Sequence, residues 1–195
     1  MIERKKLSVV VSVYNEEEAL DAFYNTTAPI LADCGWNYEL IFVNDGSTDG
    51  SLALLEEFAQ KNRRVKVISF SRNFGHEAAM IAGIDHATGD GVICMDADLQ
   101  HPPKSIPEIL SFFDQGYDVV TMIRKERKDG GLLKKITSKL FYKILNLLSP
   151  IQFEANASDF FAFTAPVAEV LKREYREKVR RGQEKKNASW NLHPF

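Results

Sequence analysis

Valine- and isoleucine-rich runs recur along the first 123 residues, and each gives way to a polar segment and then to a stretch of helical periodicity. The runs are Leu7-Ser8-Val9-Val10-Val11-Ser12-Val13-Tyr14, Tyr38 to Val43, Val65 to Phe70, Gly91 to Met95 and Tyr117 to Ile123. Between and after them, apolar residues at three- and four-residue spacing predict helices over 17–34, 51–60, 76–87 and 104–115. Alternation of this kind predicts a parallel sheet with helices as crossovers. The runs are densely apolar instead of alternating with polar residues, as strands covered on both faces are. Gly35, Gly89 and Gly116 follow predicted helices, where a left-handed cap favours glycine. The expected fold class is α/β, a Rossmann-like, mostly parallel five-stranded sheet with helices on both faces.

The pattern changes after Ile123. Residues 124–131 form a charged loop ending in Gly130-Gly131. From Leu132 to Ser149 an amphipathic helix is predicted, with Leu133, Ile136, Leu140, Ile144 and Leu147 on one side and Lys135, Lys139 and Lys143 along another. Its apolar side either covers the sheet or rests on an anionic membrane surface. A helix is also predicted within 167–181, inside a densely charged segment that reads as a solvated terminus. The domain boundary this implies separates residues 1–164 from a charged helical or irregular tail, 165–195.

Composition narrows the function classes. The 195 residues suit one domain with a sizeable core. A net charge of -2 provides no global field toward nucleic acid, so no nucleic-acid partner is expected. Cys34 and Cys94 sit in apolar contexts and read as reduced core residues. No apolar run reaches the roughly 18 to 20 residues that a membrane-spanning helix needs. A cytoplasmic location is expected, at the cytoplasmic face of a membrane if the Leu132–Ser149 helix lies on lipid.

The candidate chemistry lies where strands end. Asp96-Ala97-Asp98 follows the run Gly91 to Met95, Asn15-Glu16-Glu17-Glu18 follows the first run, and Asn44-Asp45-Gly46-Ser47-Thr48-Asp49 the second. Ligands of open parallel sheets bind outside the carboxyl ends of the strands. Taken singly, Glu16 and Asp49 read equally well as residues of first helical turns and Asp45-Gly46 as an ordinary turn. Their joint occurrence suggests a nucleotide slot, with backbone groups at Ser12–Tyr14 together with Glu16 and Asp45 for base and ribose. Asp96, Asp98 and the amide oxygen of Gln100 present oxygen donors at alternate positions. That set fits Mg²⁺ or Mn²⁺ completed by phosphate oxygens and water. His101 reads as a loop residue ahead of Pro102-Pro103. Arg72, Arg124 and Arg127 either grip phosphate or lie in solvated loops.

These segments resemble a known family. Val9 to Glu16, Val43 to Asp49, Ser71-Arg72-Asn73-Phe74-Gly75 and Met95 to Pro103 are similar to motifs of glycosyltransferase family 2, in particular its dolichol- and undecaprenyl-phosphate sugar transferases. The resemblance covers roughly residues 5 to 160 and implies a GT-A fold, a UDP- or GDP-sugar donor, a divalent metal and inversion at the anomeric carbon. It implies nucleotide contacts from Tyr14, Glu16 and Asp45, a place near ribose or metal for Asp96, and metal ligation by Asp98 and Gln100. It places Arg124 and Arg127 near phosphates and the Leu132–Ser149 helix at the membrane interface. Ser158-Asp159-Phe160 resembles the segment whose aspartate lies beside the reacting centre. The pattern is departed from at Phe161, where arginine is usual, and at Ser12, where proline is common. Relatives normally continue into more acceptor-side structure, so a domain incomplete or altered after about residue 161 is expected.

The full candidate set is Ser12, Tyr14, Glu16, Asp45, Ser47, Asp96 and Ala97 for the nucleotide, and Asp96, Asp98 and Gln100 for the metal. Arg72, Arg124 and Arg127 are candidates for phosphate or acceptor, and Asp159 is the catalytic candidate. A polyprenyl phosphate acceptor is already largely dianionic near neutral pH, with a second pKa of about 6, and needs no base. A sugar hydroxyl acceptor does need one, and Asp159 is then the candidate. The expected function is an inverting, metal-dependent transfer of a sugar to a polyprenyl phosphate. The alternatives are transfer to a sugar hydroxyl, or a nucleotide-binding remnant without transfer. A dinucleotide oxidoreductase is disfavoured because Tyr14-Asn15-Glu16-Glu17 stands where Gly-x-Gly-x-x-Gly is needed.

Overall fold

The computed structural model describes residues 4–100, 102–121 and 160–190. Strands β1 (Lys6–Val13), β2 (Asn37–Asn44), β3 (Val65–Ser69) and β4 (Gly91–Asp96) alternate with helices α1 (Glu17–Asp33), α2 (Ser51–Lys61) and α3 (His76–His86). A short 3₁₀ turn (Pro103–Ser105), α4 (Ile106–Asp114), β5 (Val119–Thr121), β6 (Phe161–Thr164) and α5 (Ala165–Trp190) follow among the described residues. The described strands form one sheet in the order β3-β2-β1-β4-β6-β5. The first four are mutually parallel, while β6 runs antiparallel to both β4 and β5.

Every residue of β1 after Lys6, and of β2 after Asn37, is buried, because these two strands lie inside the sheet with helices on both sides. Side chains alternate between faces along a strand, which splits the core in two. Leu7, Val9, Val11, Leu40, Phe42, Ile93 and Met95 pack with Leu20, Phe23, Leu55 and Ile109 from α1, α2 and α4. Val10, Ile41, Val43, Val92 and Cys94 pack on the opposite face with Ala79, Met80 and Ile84 of α3 and Ala168 and Leu171 of α5. Helix α3 lies so close that a Cβ on Gly83 would stand 2.2 Å from Val10 Cγ1. Glycine is the residue that allows this approach.

The four helices predicted over the first 115 residues are present with ends shifted by at most two residues, and α1 passes through Pro29 at an exposed position. The expectation of five strands needs correction, because β6 was not foreseen. Phe161, at the position where arginine is usual, is a core residue of β6. It lies opposite Cys94, is buried to 8 % exposure and stacks on Phe163 with ring centroids 6.0 Å apart. Of the fifth predicted run, Val119–Thr121 is a strand, paired to β6 and not to β4. The helix expected within 167–181 spans Ala165–Trp190, and its first turns close the second core layer. Among the described residues no helix is long and apolar enough to cross a membrane.

Candidate nucleotide and metal site

Strand register gathers the candidate residues. Ser12 on β1 lies beside Val43 on β2 and beside Asp96 on β4. Tyr14, Glu16, Asp45, Ser47, Ala97, Asp98 and Gln100 follow within a few residues, so all of them leave the sheet at the carboxyl-end edge of three adjacent parallel strands. Ser12 is buried at 8 % exposure. Tyr14 is exposed over this edge at 46 %, a ring available for a flat base to stack on.

The loops after β1 and β2 are laced together. The Asn15 backbone N–H donates to Ser47 Oγ at 3.0 Å, and the Thr48 N–H donates to Asn15 Oδ1 at 2.8 Å. Asn15 holds a left-handed φ of 54° to make this crossing, a conformation that asparagine tolerates better than most residues. The Glu16 N–H donates to Ser51 Oγ at 3.0 Å, and the Glu17 N–H to Asp49 Oδ2 at 3.2 Å. Asp49 therefore has a local role at the start of α2, where its other oxygen accepts the Ser51 N–H at 3.0 Å. Slight burial works to raise the Asp49 carboxyl, but hydrogen bonds from the Ser51 hydroxyl and from nearby backbone N–H groups outweigh it and hold it below its ordinary value.

Asp45 is buried to 1 % exposure, and both of its oxygens accept backbone hydrogen bonds. The Phe74 N–H donates to Oδ1 at 2.7 Å and the Gly75 N–H to Oδ2 at 2.9 Å. This carboxylate ties the Arg72–Gly75 loop to the end of β2. Gly46, at a φ of 68°, lets the Arg72 backbone pass 2.7 Å or less from where a Cβ would be. Gly75, at a φ of 98°, then turns the chain into α3. Arg72 itself is exposed and lies over the Phe74 ring, 4.7 Å from its centroid.

At the end of β4, Asp96 and Asp98 are half-buried on either side of the buried Ala97. Asp98 Oδ1 accepts the Gln100 backbone N–H at 2.9 Å, and Leu99 takes a φ of 56° to close that turn. His76, the first residue of α3, brings Nδ1 to 3.6 Å from Asp96 Oδ1. Sequence reasoning missed this histidine, since nothing local to a helix start shows which strand end it will face. The buried Cys94 beside this edge is no nucleophile, because burial, then the nearby Asp96 charge, pushes its thiol well up.

No cluster of three or more His, Cys, Asp or Glu side chains suited to a metal occurs among the described residues. Two carboxylates at one strand end nonetheless suit Mg²⁺ or Mn²⁺, which bind through one or two carboxylates plus substrate phosphates and seldom through all-protein cages. Arg124, Arg127, the Leu132–Ser149 helix, His101 and Asp159 lie outside the described residues.

Comparison with known proteins gives the family and the fold. The model of "Glycosyl transferase family 2" matches residues 8–172. The glycosyltransferase YkcC of Bacillus subtilis is 41 % identical over 166 residues, which is 85 % of this chain and 51 % of that protein. A prophage bactoprenol glucosyl transferase homolog of Escherichia coli K12 is 40 % identical over 167 residues, 86 % of this chain and 55 % of its own length. The chain thus spans about half the length of the curated relatives it matches. Among solved structures, a Pyrobaculum calidifontis mannosyltransferase in complex with GDP-Man and Mn²⁺ superposes with a TM-score of 0.61 at 20 % identity, covering 87 % of this chain and 47 % of that one. Glucosyl-3-phosphoglycerate synthase from Mycobacterium tuberculosis, with Mn²⁺, UDP and phosphoglyceric acid, gives 0.57 at 21 % identity over 82 % of this chain and 56 % of that one. These likenesses establish the GT-A fold.

Proposed function

The chain belongs to glycosyl transferase family 2, and on that premise we propose that it serves the metal-dependent, inverting transfer of a sugar from a UDP- or GDP-sugar to a polyprenyl phosphate. The observation that carries this reading is the register of Ser12 against both Val43 and Asp96. It brings the buried Asp45 after β2, the exposed Tyr14 after β1 and the Asp96–Asp98 pair after β4 to one edge, which supports a slot for a base, a ribose and a diphosphate there. Tyr14 covers the base. Glu16, the Ser12 backbone, Ser47 and Ala97 border the base and ribose, and Asp45 fixes the wall beside them. Asp96, Asp98 and Gln100 hold the divalent metal, which offsets the charge that builds on the departing diphosphate. Arg72, Arg124 and Arg127 add positive charge for the diphosphate and for an anionic acceptor.

The acceptor is inferred from the relatives named bactoprenol glucosyl transferase and from chemistry. A lipid phosphate already carries its nucleophilic charge near neutral pH, so Asp159 orients the donor sugar and need not remove a proton. The lysine-flanked Leu132–Ser149 segment is the proposed contact with the membrane that supplies such a lipid.

Calorimetry of the full chain with UDP and GDP, with and without Mn²⁺, tests the donor half. One of the two should bind, more tightly with Mn²⁺, and Asp98→Asn should remove that increment. Binding of neither nucleotide, or binding indifferent to Mn²⁺, would refute the donor site. Transfer from the matching nucleotide-glucose to a short polyprenyl phosphate in detergent tests the acceptor half. Nucleotide binding without any transfer would mark the chain as a binding remnant.

A further inference from the structure

We infer that His76 is a positioning residue that holds the Asp96 carboxylate toward the metal and the donor, and that Asp45 sets His76 in place. The inference rests on the reading of Asp96 as a donor-site carboxylate.

The geometry runs through two strand ends. Asp45, at the end of β2, fixes the chain just ahead of α3 by accepting the Phe74 and Gly75 N–H groups at 2.7 and 2.9 Å. Gly75, with φ 98° and ψ 153°, then starts α3 in a direction set by those two bonds. His76 is the next residue, and its ring comes close to Asp96 at the end of β4. Ring and carboxylate are exposed to 34 % and 27 %, so both face the open edge and not the core. Their separation of 3.6 Å is just beyond a direct hydrogen bond. Catalytic hydrogen bonds are often this long before a ligand tightens the site.

The chemistry needs no change in protonation. A neutral imidazole with its proton on Nδ1 and an imidazolium both present an N–H toward Asp96. Carboxylates that ligate a metal are themselves held by hydrogen bonds, and loss of such an outer partner costs typically 10- to 100-fold in metal affinity. The device also links the two ends of the donor slot. Asp45 lies beside the base, and the loop it anchors ends in the group that aims the carboxylate beside the diphosphate.

The test uses the full chain with His76→Ala and His76→Asn. Asparagine places an amide N–H near the position of Nδ1, whereas alanine removes the donor. Mn²⁺ affinity is measured by calorimetry at saturating UDP or GDP, whichever binds, and thermal denaturation is recorded for each variant. Expected is a loss of about tenfold in Mn²⁺ affinity for His76→Ala, recovery of most of it in His76→Asn, and equal melting temperatures. A His76→Ala value within twofold of the parent overturns the inference. So does an asparagine variant no better than alanine, and so does a matching loss in metal-free nucleotide binding with a lowered melting temperature, which marks a structural role. Asp98→Asn separates the two levels. If it weakens Mn²⁺ and His76→Ala does not, only the role of His76 is lost. If neither does, the metal reading falls and takes this inference with it.

Discussion

Replacing Glu39 by glutamine should cost about 2 kcal/mol of stability at neutral pH while leaving nucleotide binding intact. Glu39 lies on β2 with its side chain only 2 % exposed. It sits among Lys6, Ser8, Lys66 and Thr88, away from the carboxyl-end edge. Oε2 accepts from Lys66 Nζ at 2.6 Å and from Lys6 Nζ at 2.9 Å. Oε1 accepts from the Ser8 hydroxyl at 2.6 Å and from the Thr88 N–H at 2.8 Å. Burial works to raise this carboxyl, but the bonds from Lys66, Ser8, Lys6 and Thr88 outweigh it and bring the folded-state value down from 4.5 to about 2. At about 1.4 kcal/mol per tenfold change in ionisation, that gap is worth roughly 3 kcal/mol. Lys6 and Lys66 are 34 % and 48 % exposed, so solvent screening of the two ammonium groups trims the net figure to about 2 kcal/mol. The sign follows from the lowered value. Folding favours the ionised form, so the contribution is complete above the unfolded value near 4.5 and is lost as pH falls toward about 2. Urea unfolding of parent and Glu39→Gln from pH 7 down to pH 3 measures it. The parent's stability should decline more steeply than the variant's below pH 5, and the two curves should converge. Parallel curves, or a neutral-pH difference under about 0.5 kcal/mol, would show that the buried charge contributes nothing net, an outcome known for other buried ion pairs.

Other outcomes follow from the site and its scaffold. Asp45→Asn leaves one of the Phe74 and Gly75 N–H groups facing an amide donor, at a cost of about 1–3 kcal/mol. Hydrogen exchange at those two amides should accelerate while β1 amides stay protected, and unchanged protection at Phe74 and Gly75 would refute the latch. Gly83→Ala brings a methyl to within 2.2 Å of Val10 Cγ1 and should destabilise by about 1–3 kcal/mol through overpacking. Val10→Ala in the same chain should relieve part of that loss. A melting temperature raised by Gly83→Ala, as helix propensity alone would favour, would show that α3 can shift freely on the sheet.

The ends of β1, β2 and β4 were legible because both signals there are local. A buried strand reads as a dense apolar run, and the polar residues that follow it mark where the chain leaves the core. β6 was not legible. Phe161–Thr164 is only four residues long, and it becomes a strand because Phe161 and Phe163 complete an apolar layer together with Cys94 and Val92, far away in sequence. The same residue had stood out as a departure from a family motif, and packing accounts for what it does here. Asp45 stands out as a candidate from its place after β2. Its partners Phe74 and Gly75 do not, since a carboxylate's hydrogen bonds depend on which loop folds over it. His76 and Glu39 are of the same kind, a helix start and a strand position whose roles depend on neighbours 20 and 27 residues or more away.

The sequence alone therefore determined the α/β class, the helices and parallel strands up to β4, and the oxygen-rich edge, because hydrophobic periodicity and strand-end chemistry are properties of contiguous residues. Tertiary structure alone decided the strand order, the antiparallel insertion of β6, the fastening of the Arg72–Gly75 loop to Asp45 and the meeting of His76 with Asp96. Each of these depends on register between segments distant along the chain, and register is fixed by the packing of the whole core.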